Sequence, residues 1–172
     1  MKKIVIMMMV SLMLLVVSAC GSTVKPRAIN EKTDVCEVCN MAVMDNQFAT
    51  QIVLENKQSL VFDDIGCMYR WINENKDEKI AGSFVRDYHD KEWIEREKAM
   101  YVYDEKIETP MSYHVVSFKN KKEAEDFAEK YDTKVLSFDD LHDHEWKMNK
   151  AHGDHKHSHE HKDKEEDSHS HK

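Results

Sequence analysis

The chain has 172 residues, with 33 acidic against 25 basic side chains and a formal net charge of −8. That balance argues against nucleic acid as a partner, because proteins that bind it present clustered Lys and Arg. It suits a protein that gathers cations.

Lys2 and Lys3 open the chain and an apolar run from Ile4 to Val17 follows. A positive start and an apolar core too short to span a bilayer comfortably read as a signal peptide over residues 1–19. The ending Val17-Ser18-Ala19-Cys20 resembles the lipobox of bacterial lipoproteins, in which the cysteine is acylated and becomes the first mature residue. Several acyl chains on Cys20 would hold the protein on the extracytoplasmic face of the cell membrane, since each buried methylene contributes roughly 0.8 kcal/mol. Cleavage would also remove both lysines and move the formal charge from −8 to −10. Residues 20–34, with Gly, Ser, Thr, Pro26 and few apolar side chains, read as a lipidated polar tether.

A single body is expected over residues 35–150, long enough for one modest core. Phe48 to Leu54 is strand-like, Asn56-Lys57 marks a turn, and Ser59 to Phe62 reads as the returning strand. Asp63-Asp64 then supplies a capping residue, and Ile65, Met68, Tyr69 and Ile72 recur at helical spacing to about Glu74. A short strand is expected at Ser83 to His89, followed by a charged segment around Trp93. The runs at 99–103 and 113–118 read as strands, 121–131 as an amphipathic helix with Ala124, Phe127, Ala128 and Tyr131 on one side, 134–138 as a strand, and 139–148 as the opening of a last helix. Phe-Asp-Asp stands between a strand and a helix at Phe62 and again at Phe138, a faint internal echo. The fold class is α+β: two small related strand-strand-helix-strand units forming one compact body.

Nine of the 11 histidines lie between His142 and His171, and almost nothing after Ala151 is apolar. Residues 151–172 are therefore expected to be disordered. Their imidazoles at i, i+2 and i+4 are borderline ligands for copper, zinc or nickel.

Besides Cys20 the chain has Cys36, Cys39 and Cys67, an odd number for a fully paired disulfide scaffold. Three readings of Cys36 and Cys39 stand open. A redox pair would need the first thiolate stabilised, usually at a helix N-terminus after a core strand; a polar stretch precedes Cys36, although Thr109-Pro110 could mimic the proline loop of thioredoxin-like folds. A structural zinc site wants a second pair of Cys or His ligands, and Cys67 stands alone. A soft-metal site asks for few thiolate and thioether donors, which suits Cu(I). Met41 and Met44 follow the cysteines in what reads as an exposed polar loop, and Met111 and His114 share a second loop. No Ser/His/Asp grouping, phosphate loop or paired-carboxylate context rises above background, so no enzyme is expected.

Cys36-Glu37-Val38-Cys39-Asn40-Met41, then Phe62 to Met68, then Thr109 to Phe118, in this order behind a lipobox, resemble the NosL family, the lipoprotein accessory factors of nitrous oxide reductase. The resemblance runs from Val35 to Met148. It implies a membrane-anchored, non-enzymatic Cu(I) metallochaperone that supplies nitrous oxide reductase or its maturation machinery outside the cytoplasm. The family's Cys-x-x-Cys-x-Met maps onto Cys36, Cys39 and Met41, and its Pro-Met onto Pro110 and Met111. The family commonly has Gly-His next; here Ser112 and Tyr113 stand there, and His114 is the nearest imidazole. Ligand exchange is the mechanism this suggests, since Cu(I) accepts two or three donors and a partner's donor can bind before the last one here leaves. The alternatives are an extracytoplasmic thiol-disulfide oxidoreductase and a zinc or nickel buffer built on the tail.

Overall fold

In the computed structural model, which describes residues 24–147, the same strand-strand-helix-strand order occurs twice. The first unit comprises β1 (Thr50–Leu54), β2 (Ser59–Phe62), α1 (Ile65–Glu74) and β3 (Ile80–Arg86), extended by β4 (Trp93–Glu95). After a 3-10 turn at Arg96–Lys98 come β5 (Met100–Tyr103), β6 (Val115–Phe118), α2 (Lys121–Lys130), β7 (Val135–Leu136) and a short α3 (Phe138–His142). The sheets are ordered β2-β1-β3-β4 and β6-β5-β7, with every pairing antiparallel. In each unit the first strand is central, flanked by its hairpin partner and by the strand after the helix.

Local chemistry accounts for the elements. Asn56 accepts the Gln58 N–H, and Lys57, at φ 69°, turns the β1–β2 hairpin. Asp64 caps α1 by accepting the Gly66 N–H at 3.0 Å. Asn46 accepts the N–H groups of Phe48 and Ala49, so β1 starts at Thr50 and the expected strand loses its first two residues. The charged segment around Trp93 is a strand, with the Arg86 guanidinium 3.9 Å from the Trp93 ring centre.

The first core joins Ile52, Phe62, Met68 and Val85 with Tyr101 and Val115 of the second unit. The second core places Val102, Val116 and Phe118 against Ala124, Phe127 and Ala128 of α2. Backbone and side-chain bonds stitch the units together: Tyr88 N–H to Ser117 O at 2.9 Å, Ser117 Oγ to Arg86 O at 2.6 Å, and Lys119 N–H to the buried Asp87 at 2.7 Å.

Three expectations need correction. The Phe-Asp-Asp echo does not mark equivalent places: Phe62-Asp63-Asp64 leads from β2 into α1, and its counterpart between β6 and α2 is Phe118-Lys119-Asn120. The last helix stops at His142, because Leu141 is its one buried side chain and no apolar stripe continues to hold further turns. Part of the tether lies on the body. Gln51, fully buried, accepts the Arg27 N–H at 2.7 Å and donates to Arg27 O at 3.2 Å, while Arg27 pairs with Asp34 at 2.6 Å. Among the described residues no helix is long and apolar enough to cross a membrane. The signal segment, Cys20 and the histidine-rich tail lie outside the described residues.

Candidate metal centre

Residues 35–42 form a tight loop closed by an isolated bridge between Val35 and Ala42. Cys36 N–H donates to Met41 O at 2.8 Å and Asn40 N–H to Cys36 O at 3.0 Å. Asn40 takes φ 59°, a left-handed conformation that asparagine tolerates. This folding turns backbone amides onto sulfur: Val38, Cys39 and Asp63 N–H groups face the Cys36 thiol, and the Met41 N–H faces that of Cys39. Glu37 N–H bonds Val61 O at 3.2 Å and fastens the loop to β2. Neither cysteine sits at a helix N-terminus, which is where a redox pair would gain its low-pKa thiolate.

Fastened there, the loop meets the start of α1. The ligand atoms of Cys36, Cys39, Asp63 and Cys67 lie within 4.8 Å of one another. Both carboxylate oxygens of Asp63 accept from the Cys39 thiol at 3.3 Å. The Cys67 thiol donates to Cys36, which together with the backbone amides lowers the Cys36 pKa to about 7 and pushes that of Cys67 far up. Burial, with Cys36 and Asp63 close by, pushes Cys39 up to about 12. All three cysteines are free. Three thiols and a carboxylate packed this closely cannot all ionise without a cation among them. A bound soft or borderline ion would replace the shared protons and let the donors carry charge together.

Two of these donors were not anticipated. Cys67 does not stand alone, because the 35–42 loop folds back on it; Asp63 is not a second helix-start residue, since Asp64 alone caps α1. One capping position for two adjacent aspartates, and one unpaired cysteine, are the sequence signals that point to them. With Cys67 and Asp63 added, the group also has the four donors that the zinc reading lacked. The cysteines, moreover, are not in an exposed loop: Cys36 is fully buried and Cys39 half-buried.

The other expected donors separate. Met111 is brought to the same end of α1: its N–H donates to Asp64 at 2.9 Å, and its side chain packs, with Cys39 and Val38, on the first core. Met41 and Met44 are turned to solvent, 53% and 48% exposed. His114 is turned elsewhere. Its Nδ1 bonds Ile107 O, a residue of the second core, at 2.7 Å, and its buried Nε2 has no hydrogen-bond partner. It is not one of the four grouped donors.

The Thr109–His114 loop is rigidly held. Thr109 Oγ1 accepts the N–H groups of Tyr113 and His114 at 3.1 Å, and its hydroxyl donates to Asp64. Ser112 takes φ 56°, the left-handed region that favours glycine, where the family pattern commonly has one. Tyr113 lays its ring over Gly66; a Cβ there would come within 2.0 Å of Tyr113 Cγ. The residue beside Cys67 is therefore glycine for lack of room.

A family model described as NosL matches residues 26–146. The fold is similar to the crystal structure of the copper chaperone NosL from Shewanella denitrificans, with a TM-score of 0.59 and 20% sequence identity over 67% of this chain and 93% of that one. No curated protein matches the chain. The family match begins beside Arg27, where the backbone first bonds to β1.

Proposed function

The chain belongs to the NosL family, and from that premise we propose that it binds Cu(I) through Cys36, Cys39 and Cys67, with Met111 at the rim, and passes it to nitrous oxide reductase or its maturation machinery. The observation that carries this reading is the closed group of the Cys36, Cys39 and Cys67 thiols, a soft donor set of low coordination number, with the Met111 backbone bonded to Asp64 at the start of the same helix. Cu(I) is cargo here, so the chain's task is to hold and release it. Cys39 is half-buried and Met41 exposed, which leaves one side of the group open to a partner's donor. An incoming thioether or thiolate binds there before the last thiolate leaves, and copper is never free. We further propose that Cys20 is lipidated and holds the protein on the extracytoplasmic face of the membrane, where the reductase would be met.

A second reading is favoured by Asp63. A carboxylate is a hard donor, and three thiolates plus one carboxylate complete a tetrahedral zinc set. Native mass spectrometry of the reduced protein separates the two. The copper reading expects one Cu(I) retained against a moderate chelator, lost in Cys36→Ser and Cys67→Ser and weakened in Met111→Leu. Copper retained by all three variants would refute the site, and zinc retained in place of copper would favour the second reading.

A further inference from the structure

The last described residues, 143–147, form a strap without regular secondary structure, held to the body by aromatic contacts. The Trp146 ring stacks on Tyr69, with centroids 4.3 Å apart and 19° between the planes, and meets Tyr113 at 6.2 Å and 65°. His144 adds contacts to Tyr103 and Trp146, each at 4.8 Å. Tyr69 lies two residues past Cys67 on α1, and Tyr113 is seated on Gly66, the residue before Cys67, with its Cγ 2.0 Å from where a Cβ would stand. Tyr113 also belongs to the Thr109–His114 loop, whose Met111 N–H bonds Asp64. The start of α1 and this loop are thus joined twice, by a carboxylate at Asp64 and by rings at Trp146.

We propose that Trp146 is a positioning residue for the metal centre: it clasps Tyr69 to Tyr113 and so holds the Cys67 thiol against the Cys36–Cys39 loop. This rests on the metal-centre reading above. Cys36 and Cys39 are seated by their own loop, through the Cys36 N–H bond to Met41 O and the Glu37 bond to Val61. Cys67 comes from a different element, so its thiol meets theirs only while the start of α1 keeps its place. A third sulfur adds fully to affinity when it already stands within about 0.5 Å of its bonding position. A donor that must first be ordered adds less, because the ordering is charged against binding. Trp146 offers copper no thiolate or thioether of its own, and its effect on the metal passes through Cys67.

Two measurements on the reduced full chain test this. The first needs no metal: alkylation by iodoacetamide, resolved cysteine by cysteine through peptide masses. Cys67 is 1% exposed, and Trp146→Ala is expected to raise its labelling rate several-fold while the labelling of Cys36 stays the same. The second is competition for Cu(I) with a moderate chelator, in which Trp146→Ala is expected to bind roughly 10–100-fold more weakly, the range for loss of a residue that orients a ligand. Trp146→Phe, which keeps a ring to stack, is expected to restore both. Trp146→Leu, which keeps apolar bulk without a ring, is expected to behave as Trp146→Ala and guards against a variant that does not fold. Phe127→Leu, in the second core, lowers the urea midpoint away from the site and is expected to leave Cys67 protection and copper affinity alone. Unchanged affinity in the Ala and Leu variants of Trp146, or an equal loss in Phe127→Leu at the same midpoint, would overturn the positioning role. Failure of the unaltered chain to hold Cu(I) would instead overturn the metal-centre reading, and the copper role of Trp146 with it.

Discussion

Asp64 ties the start of α1 to the Thr109–His114 loop beside the candidate metal centre, and its removal should be felt in both stability and copper retention. The side chain is 1% exposed and accepts three bonds: the Gly66 N–H at 3.0 Å, the Met111 N–H at 2.9 Å and the Thr109 hydroxyl. Asp64→Ala removes an N-cap, which costs about 1 kcal/mol. It also leaves the Met111 N–H without a partner in a part-buried position, at roughly 1–3 kcal/mol. Burial of the carboxyl, which raises its pKa, means some desolvation penalty is relieved on its removal. The net expectation is a loss of about 2–3 kcal/mol, read as a lower midpoint in urea at unchanged slope. Asp64→Asn keeps an acceptor for one of the two amides and should lose less. With the Thr109–Met111 loop released, Asp64→Ala should also hold Cu(I) less tightly than its stability loss alone explains. A midpoint within about 0.5 kcal/mol of the unaltered protein would refute the reasoning, because surface changes of no consequence fall in that range.

Gly66→Ala should destabilise by about 1–3 kcal/mol, since a methyl 2.0 Å from Tyr113 Cγ forces the ring to move; the helical preference of alanine, at most about 1 kcal/mol, is too small to compensate. A raised melting temperature would contradict this. The strap should respond to acid. Burial beside Tyr103 and Trp146 holds the His144 pKa below its ordinary 6.5, so the protonated form is disfavoured in the docked state. The stabilisation is complete above the unfolded pKa and is lost as pH falls through 6.5 toward the folded value. Tryptophan emission titrated over that range, with Trp146→Phe as the blank, should show the strap loosening, and a flat titration would count against it.

Much of the architecture was legible because each element announces its own chemistry. The period of Ile65, Met68, Tyr69 and Ile72 matches α1, and the repeated strand-strand-helix-strand order is the one the pattern suggests. The faint echo of Phe62-Asp63-Asp64 at Phe138-Asp139-Asp140 does not follow the repeat, since short sequence echoes carry no register. The topological equivalent of Asp63 is Lys119, and the second unit therefore has no matching acidic donor. Of the four grouped donors, Cys36 and Cys39 were visible as a local motif, but Cys67 and Asp63 were not. Their place is fixed by the Glu37–Val61 bond and by the cap at Asp64, both contacts between segments distant in sequence. His114 failed as a nearby imidazole for a local reason: φ 63° and the bond to Ile107 turn its ring away to the second core.

The central claim is that copper is held by sulfur from three separate places in the chain: the 35–42 loop, α1 and the Thr109–His114 loop. X-ray absorption at the copper edge of the Cu(I)-loaded full chain tests it most directly. The expected result is a first shell dominated by sulfur that persists when residues 148–172 are removed, with copper itself lost in Cys67→Ser. A nitrogen shell unchanged by Cys36→Ser and Cys67→Ser, and lost with the tail, would contradict it.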